Sequence, residues 1–411
     1  MLKRCGFARG LMIIMVVYHL LPNEECLGQR SIEFLREGEP NYLRTAVPFL
    51  LIPTDSRAGG VADAGTASRP DSYSQYWNNA KYVFMEREGG VAMSYIPWLR
   101  KIVPDMSLSG VAGYYKPNER QAISASLRYF SLGRFIFSAI EGEPWGTYYP
   151  REIAADLGYS RILGDRFSAG IVFRYIHSSL LGSAFMQGDE YTPGWSVASD
   201  LGVYYQSELP EGEPGTGYAW GFTLANLGMP VTYSADSESS PLPSEVRAGG
   251  RFDIGFDASS RLSILLELSK LLVPTPPYSE NDTIVRGFPE PGSVVGGMVS
   301  SFYDAPGIRL PNETYSPVYL EEISEIIIKS GIEYTYLDQF SLRTGYFHEF
   351  RVKGTRRFIT AGVGMAMNDF SIDLSYLVPV NAQDSPLANT LRFSMEFTFG
   401  SKKKKEYNSL L

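Results

Sequence analysis

The 411-residue sequence has little of what enzymes and helical membrane proteins are usually built from. It contains two cysteines and three histidines, and beyond the N-terminal region no apolar run reaches the roughly 18 residues that a transmembrane helix needs. The mean hydropathy is only −0.11. A protein that crosses a membrane with helices is therefore excluded, and thiol and histidine chemistry have few residues available.

Positive charge is also scarce. The net charge is −8 and the isoelectric point is about 5.2. The one basic run, Lys402 to Lys405, lies in segment 401–411, which we interpret as a solvated basic tail on the periplasmic side. A nucleic-acid partner would require clustered Lys and Arg to neutralise phosphates, so no nucleic-acid partner is expected.

Residues 1–28 have the pattern of a secretory signal peptide. A basic start is followed by the apolar run Leu11 to Leu21, and Cys26 and Gly28 are small residues at positions −3 and −1 of a cleavage site after Gly28. Cleavage there would remove Cys26 and also Cys5. We therefore expect a mature chain without cysteine, to which neither disulfides nor thiol chemistry is available.

Signals of catalysis are absent from the rest of the chain. The two histidines beyond the signal, His177 and His348, fall at predicted strand ends, with no spacing that pairs them as metal ligands or as a base with a nucleophile. No phosphate-binding loop, dinucleotide fingerprint or nucleophile elbow is present. The sequence predicts a protein that is not an enzyme, with no catalytic residues, no metal and no cofactor.

Glycine and aromatic residues are abundant instead, with 40 Gly, 27 Tyr and 23 Phe. From Gly89 to Gly400, segments of about ten residues alternate apolar and polar side chains, and the connections between them alternate between short and long. The predicted strands are 89–97, 107–115, 121–130, 150–160, 166–176, 194–206, 217–227, 244–257, 259–270, 325–336, 338–350, 355–367, 369–378 and 388–400. This pattern predicts an all-β fold, a 14-stranded antiparallel transmembrane β-barrel over residues 89–400. A secreted soluble sandwich or propeller is the competing interpretation.

The charged residues within the strands indicate which face is lumenal. An Arg facing lipid at the membrane midplane costs roughly 2–4 kcal/mol, so the charged faces should line the lumen. The lumenal ion-pair candidates are Arg128, Asp156, Arg174, Glu267, Glu333, Arg343, Asp373, Arg392 and Glu396. Both signs occur, which favours a lumen held shut by ion pairs over a pore that selects one ion sign or an apolar tunnel.

The segment from Pro48 to Tyr82 has neither a strand period nor a long helical period, and we interpret it as a plug, or hatch, inside the barrel. Together with the polar residues before it, it forms the predicted region 29–88, a periplasmic lead-in followed by the N-terminal hatch. The candidate hatch residues are Asp55, Ser56, Arg57, Gly59, Gly60, Trp77, Asn78 and Asn79. The adjacent glycines indicate close backbone packing.

The connection 271–324 is unusually long and carries eight prolines and six aromatic residues. Loops of this length are usually functional or disordered, and the aromatics favour an ordered docking surface over surface decoration. Its candidate cargo or partner residues are Phe302, Tyr303, Asp304, Pro306, Tyr315 and Tyr319. The loop 131–149 is a second candidate.

Four stretches of the chain resemble one known family. They are TAVPFLLIPTDSRAGGVADAGTA, QAISASLRYFSLG, SSFYDAPG and SPLANTLRFSMEFTFG. Over about Thr45 to Gly400 the sequence is similar to the PorV family, also called LptO, of the type IX secretion system in the outer membrane of Bacteroidota. The resemblance implies a FadL-like 14-stranded barrel with an N-terminal hatch. It also implies binding of the C-terminal signal domain of secreted cargo, association with a large SprA/Sov translocon barrel, and delivery to a PorU-like sortase complex.

The sequence departs from the family pattern in three places. The hatch reads WNNAKY instead of WNPAKY, with Asn79 in the proline position. Gly307 is followed by Ile308 where a second glycine is expected, and Phe399 is followed by a 12-residue tail although such barrels commonly end on an aromatic residue. No residues match the lipopolysaccharide-deacylating role that has also been attached to the family.

Two functions from different classes remain. The first is a secretion component that binds cargo and partner barrels in contact with outer-membrane lipid. The second is a FadL-type channel for hydrophobic small molecules. Mixed charges in the lumen favour the first, whereas a continuous apolar tunnel would favour the second.

Overall fold

The computed structural model describes residues 35–99, 103–138, 144–180, 185–186, 189–190, 192–207, 214–233, 239–281, 283–380 and 390–401. Fourteen antiparallel strands form one closed barrel in which each strand pairs with the next barrel strand along the chain. They are β1 (Gly89–Pro97), β2 (Ser107–Asn118), β3 (Gln121–Ser131), β4 (Arg151–Gly164), β5 (Phe167–Ser179), β6 (Gly194–Gln206), β7 (Gly215–Gly228), β8 (Glu245–Gly255), β9 (Ser260–Leu271), β10 (Ile327–Tyr336), β11 (Phe340–His348), β12 (Arg357–Met367), β13 (Phe370–Pro379) and β14 (Thr390–Phe399).

The first and last strands close the barrel. Gly89 pairs with Phe399 and Tyr95 pairs with Phe393 in a continuous register. The predicted fold class and the number of strands are therefore confirmed. The strand 194–206 has the predicted bounds, whereas β4 continues four residues beyond its predicted end at residue 160 and β10 begins two residues later than predicted.

Strand β14 shows why these residues form a barrel wall. Leu391, Phe397 and Phe399 are exposed on the outer surface, whereas Arg392 and Ser394 are buried on the lumenal side. The side chains of a strand alternate between its faces, so one strand supplies both an apolar exterior and a polar interior. Among the described helices, none is long and apolar enough to cross a membrane.

The two ends of the barrel differ in their connections. The end here called the short-turn end carries the turns 119–120, 165–166, 256–259, 337–339 and 368–369 and the longer connection 207–214. The other, here called the long-loop end, carries connections 98–106, 132–150, 180–193, 229–244, 272–326, 349–356 and 380–389. Three of the long connections contain two-stranded ribbons: Phe135–Ser138 with Pro144–Tyr148, Phe185–Met186 with Asp189–Glu190, and Tyr278–Glu280 with Thr283–Arg286.

Short helices occur in the N-terminal segment and in the 272–326 connection. Helices α1 (Ser56–Gly60) and α2 (Ser74–Trp77), with the 3₁₀ helices Pro48–Leu51 and Asn79–Phe84, lie before β1. Helices α3 (Val294–Ser300) and α4 (Val318–Ser324) lie in the 272–326 connection, so this connection is not an unstructured loop.

The N-terminal segment runs through the barrel. Phe49 and Leu50 pack on Phe130 and other residues at the long-loop end, whereas Tyr82 and Val83 pack against strand residues at the short-turn end. Earlier residues also lie at the long-loop end, where the Glu39 N–H donates to the Arg309 carbonyl at 2.7 Å.

This course corrects one expectation. We predicted a lead-in on the side of the membrane opposite the long loops, but its described part, 35–46, packs on those loops. The chain enters the lumen at the long-loop end and leaves it at the short-turn end, where β1 begins. The predicted signal peptide 1–28 and residues 402–411 of the predicted tail lie outside the described residues.

Candidate functional site

The predicted plug begins at Pro48, but in the structure Pro48–Leu51 form a separate 3₁₀ helix, and the name plug is used from here on for residues 54–85. Asp55 organises this segment. This carboxylate caps α1 by accepting hydrogen bonds from the N–H groups of Arg57 at 2.7 Å and Ala58 at 3.1 Å. It also accepts one from Nε1 of Trp77 at 3.1 Å, which joins α1 to α2. A five-residue helix is marginal alone, so the buried cap and the packing around it determine its conformation. Asp55, Ser56 and Trp77 are all buried.

The plug approaches the wall so closely that several positions exclude a side chain. A Cβ on Gly59 would lie 2.7 Å from Oγ of Ser375, and one on Gly60 would lie 3.1 Å from the Arg343 side chain. The wall is adapted in the same way, because a Cβ on Gly345 would lie 2.5 Å from the carbonyl carbon of Val61. The interpretation of the paired glycines as a site of close backbone packing agrees with this geometry.

A chain of ion pairs ties α1 to three strands. The Arg57 guanidinium lies 3.1 Å from the Glu333 carboxylate and 3.3 Å from that of Asp71 within the plug. Glu333 also accepts a hydrogen bond from Nε of Arg343 at 2.6 Å, and Arg343 reaches Asp373 at 2.5 Å. Each of these carboxylates therefore faces an arginine, which is the condition for burying a charge at a tolerable cost.

Three further predicted charges hold the plug directly. Arg392 pairs with Asp63 of the plug. Glu267 accepts the Thr66 N–H at 2.8 Å, and the Glu396 carboxylate accepts the Ser72 N–H at 2.9 Å. The lumenal charges thus recognise backbone groups of the plug as well as side chains.

The remaining three predicted charges form a network toward the long-loop end. Arg174 donates through Nε to Asp156 at 2.7 Å and through Nη2 to Asp200 at 2.8 Å. Arg128 lies 3.8 Å from Asp156 and donates to the carbonyl of Leu50 at 3.2 Å. All nine predicted charges therefore point into the lumen and have a partner there.

Sequence reasoning missed several members of this interface. Lys329 pairs with Glu267 at 2.9 Å and lies four residues before Glu333, so strand parity alone would have identified it. Asp63 and Asp71 had no such signal because the plug has no period. Five further wall residues that the prediction did not include donate hydrogen bonds to backbone carbonyls of the plug: Arg251 to Ala67, Arg247 to Tyr76, Thr223 to Trp77, Ser168 to Ala80 and Thr360 to Gly60.

The asparagine pair of WNNAKY contributes two different contacts. Asn78 caps the 3₁₀ helix Asn79–Phe84 by accepting the Ala80 N–H at 3.1 Å, and donates to the Val203 carbonyl at 2.9 Å. Asn79, at the first position of that helix, donates to Oγ of Ser124 at 2.7 Å. The departure from the family pattern therefore adds a polar contact between plug and wall.

Little space remains in the described part of the lumen. A cavity of about 90 Å³ lies beside Trp77. Most of its lining residues are apolar or aromatic, and six are charged, among them Arg247, Lys329 and Arg392. Binding pockets for small molecules usually measure about 300–1,000 Å³ and are mostly apolar. Strand β3 pairs with β4 without interruption from Gln121 to Ser131, so this part of the wall has no gap.

The long-loop candidates separate into exposed and buried residues. Phe302, Tyr303 and Tyr319 have exposed fractions of 56%, 56% and 57%. Asp304 and Pro306, predicted as surface residues, are buried, so they are unavailable to a partner in this conformation. The Asp304 carboxylate instead accepts hydrogen bonds from the Thr275 N–H and the Ser300 hydroxyl. These bonds connect the turn after α3 to the start of the loop.

Two other features of this loop concern Tyr315 and Gly307. Tyr315, also predicted at the surface, is half-buried beneath the Arg286 guanidinium, 4.6 Å from its ring centroid. Gly307 has a φ of +93°, which favours glycine, and a Cβ there would lie 2.5 Å from the Ser316 carbonyl oxygen. Ile308 fills a small apolar cluster where the family has a second glycine. In the other candidate loop, 131–149, residues 139–143 lie outside the described chain.

A buried ionic cluster supports the exposed aromatic residues. Glu325 pairs with Lys270 at the end of β9 and with Lys353 of the 349–356 connection at 2.8 Å, and accepts the Thr275 hydroxyl at 2.7 Å. Burial would raise the pKa of the Glu325 carboxyl, but the Lys353 and Lys270 ammonium groups hold it below its usual value. The carboxylate is therefore ionised at neutral pH and attaches the loop to the barrel rim.

Across the described ranges, no three His, Cys, Asp or Glu side chains are grouped as metal ligands. His348 lies at the rim, 3.2 Å from the Tyr346 hydroxyl.

An apolar outer surface, a polar lumen and an internal plug define the class of this protein as a plugged outer-membrane β-barrel. The chain belongs to the family described as Type IX secretion system protein PorV, whose model matches residues 36–278. It is accordingly an outer-membrane component of type IX secretion. No curated protein matches the chain significantly.

Among solved structures, the chain is similar to the toluene transporter TbuX of Ralstonia pickettii, with 12% identity, 84% and 98% of the two chains covered, and a TM-score of 0.42. It is also similar to the toluene transporter TodX of P. putida, with 10% identity, coverage of 84% and 99%, and a TM-score of 0.45. A Pseudomonas aeruginosa FadL homologue shares 12% identity over 84% and 98%, with a TM-score of 0.40. Because these scores are low, the fold assignment depends on the strand pairing and the family on the sequence match.

Proposed function

We propose that this protein is a non-catalytic cargo shuttle of type IX secretion in a Bacteroidota-like outer membrane. It binds the C-terminal signal domain of secreted cargo, associates with a large translocon barrel of the SprA/Sov kind, and delivers cargo to a PorU-like sortase complex at the cell surface. Family membership supports a role in type IX secretion. The plug that fills the lumen supports cargo binding on the outer loops rather than inside the barrel.

The plug that fills the lumen is the main observation in support of this proposal. The plug is bonded to the wall through buried ion pairs such as Arg57 with Glu333 and Arg392 with Asp63. Breaking a buried pair typically costs about 3–5 kcal/mol, so emptying the lumen for each transported molecule would require breaking several such pairs. A folded cargo domain must therefore be recognised outside the barrel.

The 272–326 connection offers an external surface of suitable chemistry. Phe302 and Tyr303 follow α3 and Tyr319 lies in α4, all with more than half of the side chain exposed. Aromatic side chains are enriched among the residues that contribute most to binding at protein interfaces. The ion pairs of Glu325 attach this connection to the barrel rim, which fixes the position of its backbone before a partner binds.

The alternative function is a FadL-type channel for hydrophobic small molecules. In the described lumen, the small volume of the 90 Å³ cavity and the uninterrupted β3–β4 pairing give this alternative little support. A hydrophobic ligand that co-purifies with the protein would favour it.

The deciding experiment is an affinity purification of tagged protein from native membranes, followed by mass spectrometry. We expect the parent protein to recover a very large barrel, a sortase or secreted proteins that share a C-terminal domain. The double variant Phe302→Ala/Tyr303→Ala should lower the recovery of cargo at least several-fold without changing barrel insertion, since both rings are exposed.

The matched control replaces the same residue types at the opposite end. Phe256 and Tyr336 have exposed fractions of 51% and 45% at the short-turn end, so Phe256→Ala/Tyr336→Ala should leave cargo recovery unchanged. Equal recovery from both double variants would contradict docking at α3 and α4. A monomer that carries only lipid or a hydrophobic ligand would contradict the shuttle.

A further inference from the structure

Residues 35–47, here called the strap, connect the long-loop end to the plug. At Val47 the strap enters the apolar cluster formed by Phe49, Leu50 and wall residues, and the chain then continues as the plug. The plug leaves at the short-turn end, where Nζ of Lys116 on β2 donates to the Met85 carbonyl at 2.6 Å. Strap and plug are therefore one covalent segment, held at both ends of the barrel.

The strap contacts the 272–326 connection through its backbone and through the side chains of Asn41, Glu39 and Leu35. The Glu39 N–H donates to the Arg309 carbonyl at 2.7 Å. Nδ2 of Asn41 donates to the carbonyl of Pro276 and to Oε1 of Glu321, both at 3.1 Å. These acceptors lie before α3, between α3 and α4, and on α4, so the strap joins three parts of the loop.

The strap also joins this loop to the neighbouring 349–356 connection. The Asn41 N–H donates to the Val352 carbonyl at 2.9 Å. Leu35 packs against an apolar cluster that contains Ile308, Leu310 and Val352. The strap therefore lies between two connections of the long-loop end and binds both.

Glu321 makes the Asn41 contact important. Its carboxylate is buried, with only 1% of the residue exposed, and Oε1 also accepts Nζ of Lys353 at 2.7 Å. Its second oxygen, Oε2, has no hydrogen-bond partner among the residues that the structure describes. Removing the Asn41 amide would leave a buried carboxylate with fewer donors, which is unfavourable.

We propose that the strap positions the docking face, which is the surface of the 272–326 connection that exposes Phe302, Tyr303 and Tyr319, and makes this face depend on the seated plug. Displacing the plug toward the short-turn end would draw the strap through the lumen and remove Glu39 and Asn41 from the loop that carries Phe302 and Tyr303. The docking face is then intact only while the barrel is closed. The functional half of this inference rests on the proposed docking function, and the structural half does not.

Trypsin cleavage of the folded protein in outer-membrane vesicles tests the structural half. Cleavage after Arg309 requires the carbonyl that the strap holds, whereas Arg286 lies on the ribbon Thr283–Arg286, apart from the strap contacts described above. Asn41→Ala should accelerate cleavage after Arg309 about tenfold and leave cleavage after Arg286 unchanged, because two hydrogen bonds to the loop are lost. Heat-modifiability on a gel checks that the barrel stays folded.

The matched control is Asn118→Ala. Asn118 lies at the short-turn end, where its side chain accepts the Arg120 N–H at 2.9 Å within a local turn. This variant should not change either cleavage rate. Unchanged cleavage after Arg309 in Asn41→Ala would overturn the positioning role of the strap.

Cargo recovery from the same variants separates the two proposals. Faster cleavage together with lower recovery supports both the strap and the docking function. Faster cleavage with full recovery supports the strap contact and overturns the dependence of docking on it, and the Phe302→Ala/Tyr303→Ala variant then tests docking itself. Unchanged cleavage overturns the strap proposal, and the Phe302→Ala/Tyr303→Ala variant then tests docking independently.

Labelling of intact cells with a membrane-impermeant maleimide tests the threading. Glu37→Cys in the strap and Asn312→Cys in the long loop replace exposed residues of the same end, whereas Asp338→Cys lies in a short turn. Glu37→Cys and Asn312→Cys should give the same result, either both labelled or both unlabelled, and Asp338→Cys should give the other result. The parent protein measures background labelling. Labelling of Glu37→Cys with Asp338→Cys would overturn the threaded course.

Discussion

The plug–wall interface and the 272–326 connection are both built on buried ion pairs, but they differ in what they leave exposed. In the lumen, Arg57 and Glu333 bind each other between buried surfaces. In the loop, Glu325 pairs with Lys353 and with Lys270, whose ammonium group lies 5.8 Å from the centroid of the exposed Phe302 ring. Buried ion pairs therefore keep the plug in the lumen, and in the 272–326 connection they hold a loop whose aromatic side chains are exposed.

This difference assigns separate tasks to the two regions. Charges inside the barrel are matched to the plug, so they specify closure and leave little space for a ligand. Charges beneath the loop are matched to the barrel rim, so they specify the position of an external surface. A change in the loop should therefore alter docking without altering closure, whereas a change in the lumen should alter closure and should reach the docking surface only through the strap.

The largest effect is expected from Arg57→Ala in the lumen. It removes the partner that Glu333 and Asp71 share, and loss of one member of a buried ion pair costs about 3–5 kcal/mol. The free energy of unfolding, measured by urea titration of the heat-modifiable gel band, should fall by this amount. Ion conductance in planar bilayers should rise because the plug is less firmly held.

The control for this change is Arg261→Ala. Arg261 pairs with Asp338 at 2.9 Å on the short-turn rim, where the Asp338 side chain is 76% exposed. Pairs of this kind contribute about 0–1 kcal/mol. Equal losses of stability in Arg57→Ala and Arg261→Ala would break the distinction between the plug interface and the surface.

A smaller effect is expected from Gly345→Ala, which tests the fit between wall and plug. The added Cβ would lie 2.5 Å from the Val61 carbonyl carbon, and such overpacking typically costs about 1–3 kcal/mol. Gly250→Ala is the matched control, because nothing lies within 4 Å of a Cβ at that position. Unfolding free energies that decrease equally in both variants would show that the plug does not press on the wall at Val61.

The smallest effect on the whole barrel is expected from Glu325→Gln, which should affect the loop alone. The substitution removes the charge that Lys270 and Lys353 share and should weaken local protection by roughly 1–2 kcal/mol. Hydrogen–deuterium exchange of the 272–326 connection should accelerate at neutral pH, while the unfolding free energy of the barrel stays the same. Slower or unchanged exchange would contradict the role of Glu325 as the attachment of the loop.

The same group predicts a pH dependence of the parent protein. Because the folded pKa of Glu325 is lower than the ordinary value of 4.5, its stabilising contribution is complete above pH 4.5 and is lost as the pH falls through the folded pKa. Loop protection should therefore decrease in acid. Glu325→Gln should lack this part of the pH dependence after correction for intrinsic exchange.

Strand periodicity explains why much of the lumen could be predicted from the sequence. Arg128, Arg174 and Arg392 alternate with apolar neighbours, and the cost of an arginine in lipid decides which face is lumenal. Lys329 follows the same parity and could have been included. The partners Asp63 and Asp71 could not, because the plug has no repeating pattern that relates it to a wall residue.

The loop was less predictable, for a related reason. Its prolines and aromatics indicated an ordered surface, but whether a side chain is exposed depends on how α3 and α4 pack. Asp304 and Pro306 proved to be buried while Tyr303 remained exposed. Sequence spacing alone does not distinguish these neighbours.

The sequence by itself determined the barrel class, the number of strands and the inward face of the charged residues. These properties arise from the two-residue period of a strand and from the energetic difference between lipid and lumen, which act on each strand locally. Tertiary structure alone decided the pairing of plug with wall, the position of residues 35–46 at the long-loop end and the exposure of the loop aromatics. Those depend on contacts between segments up to about three hundred residues apart, such as Gly60 with Thr360, for which no local pattern exists.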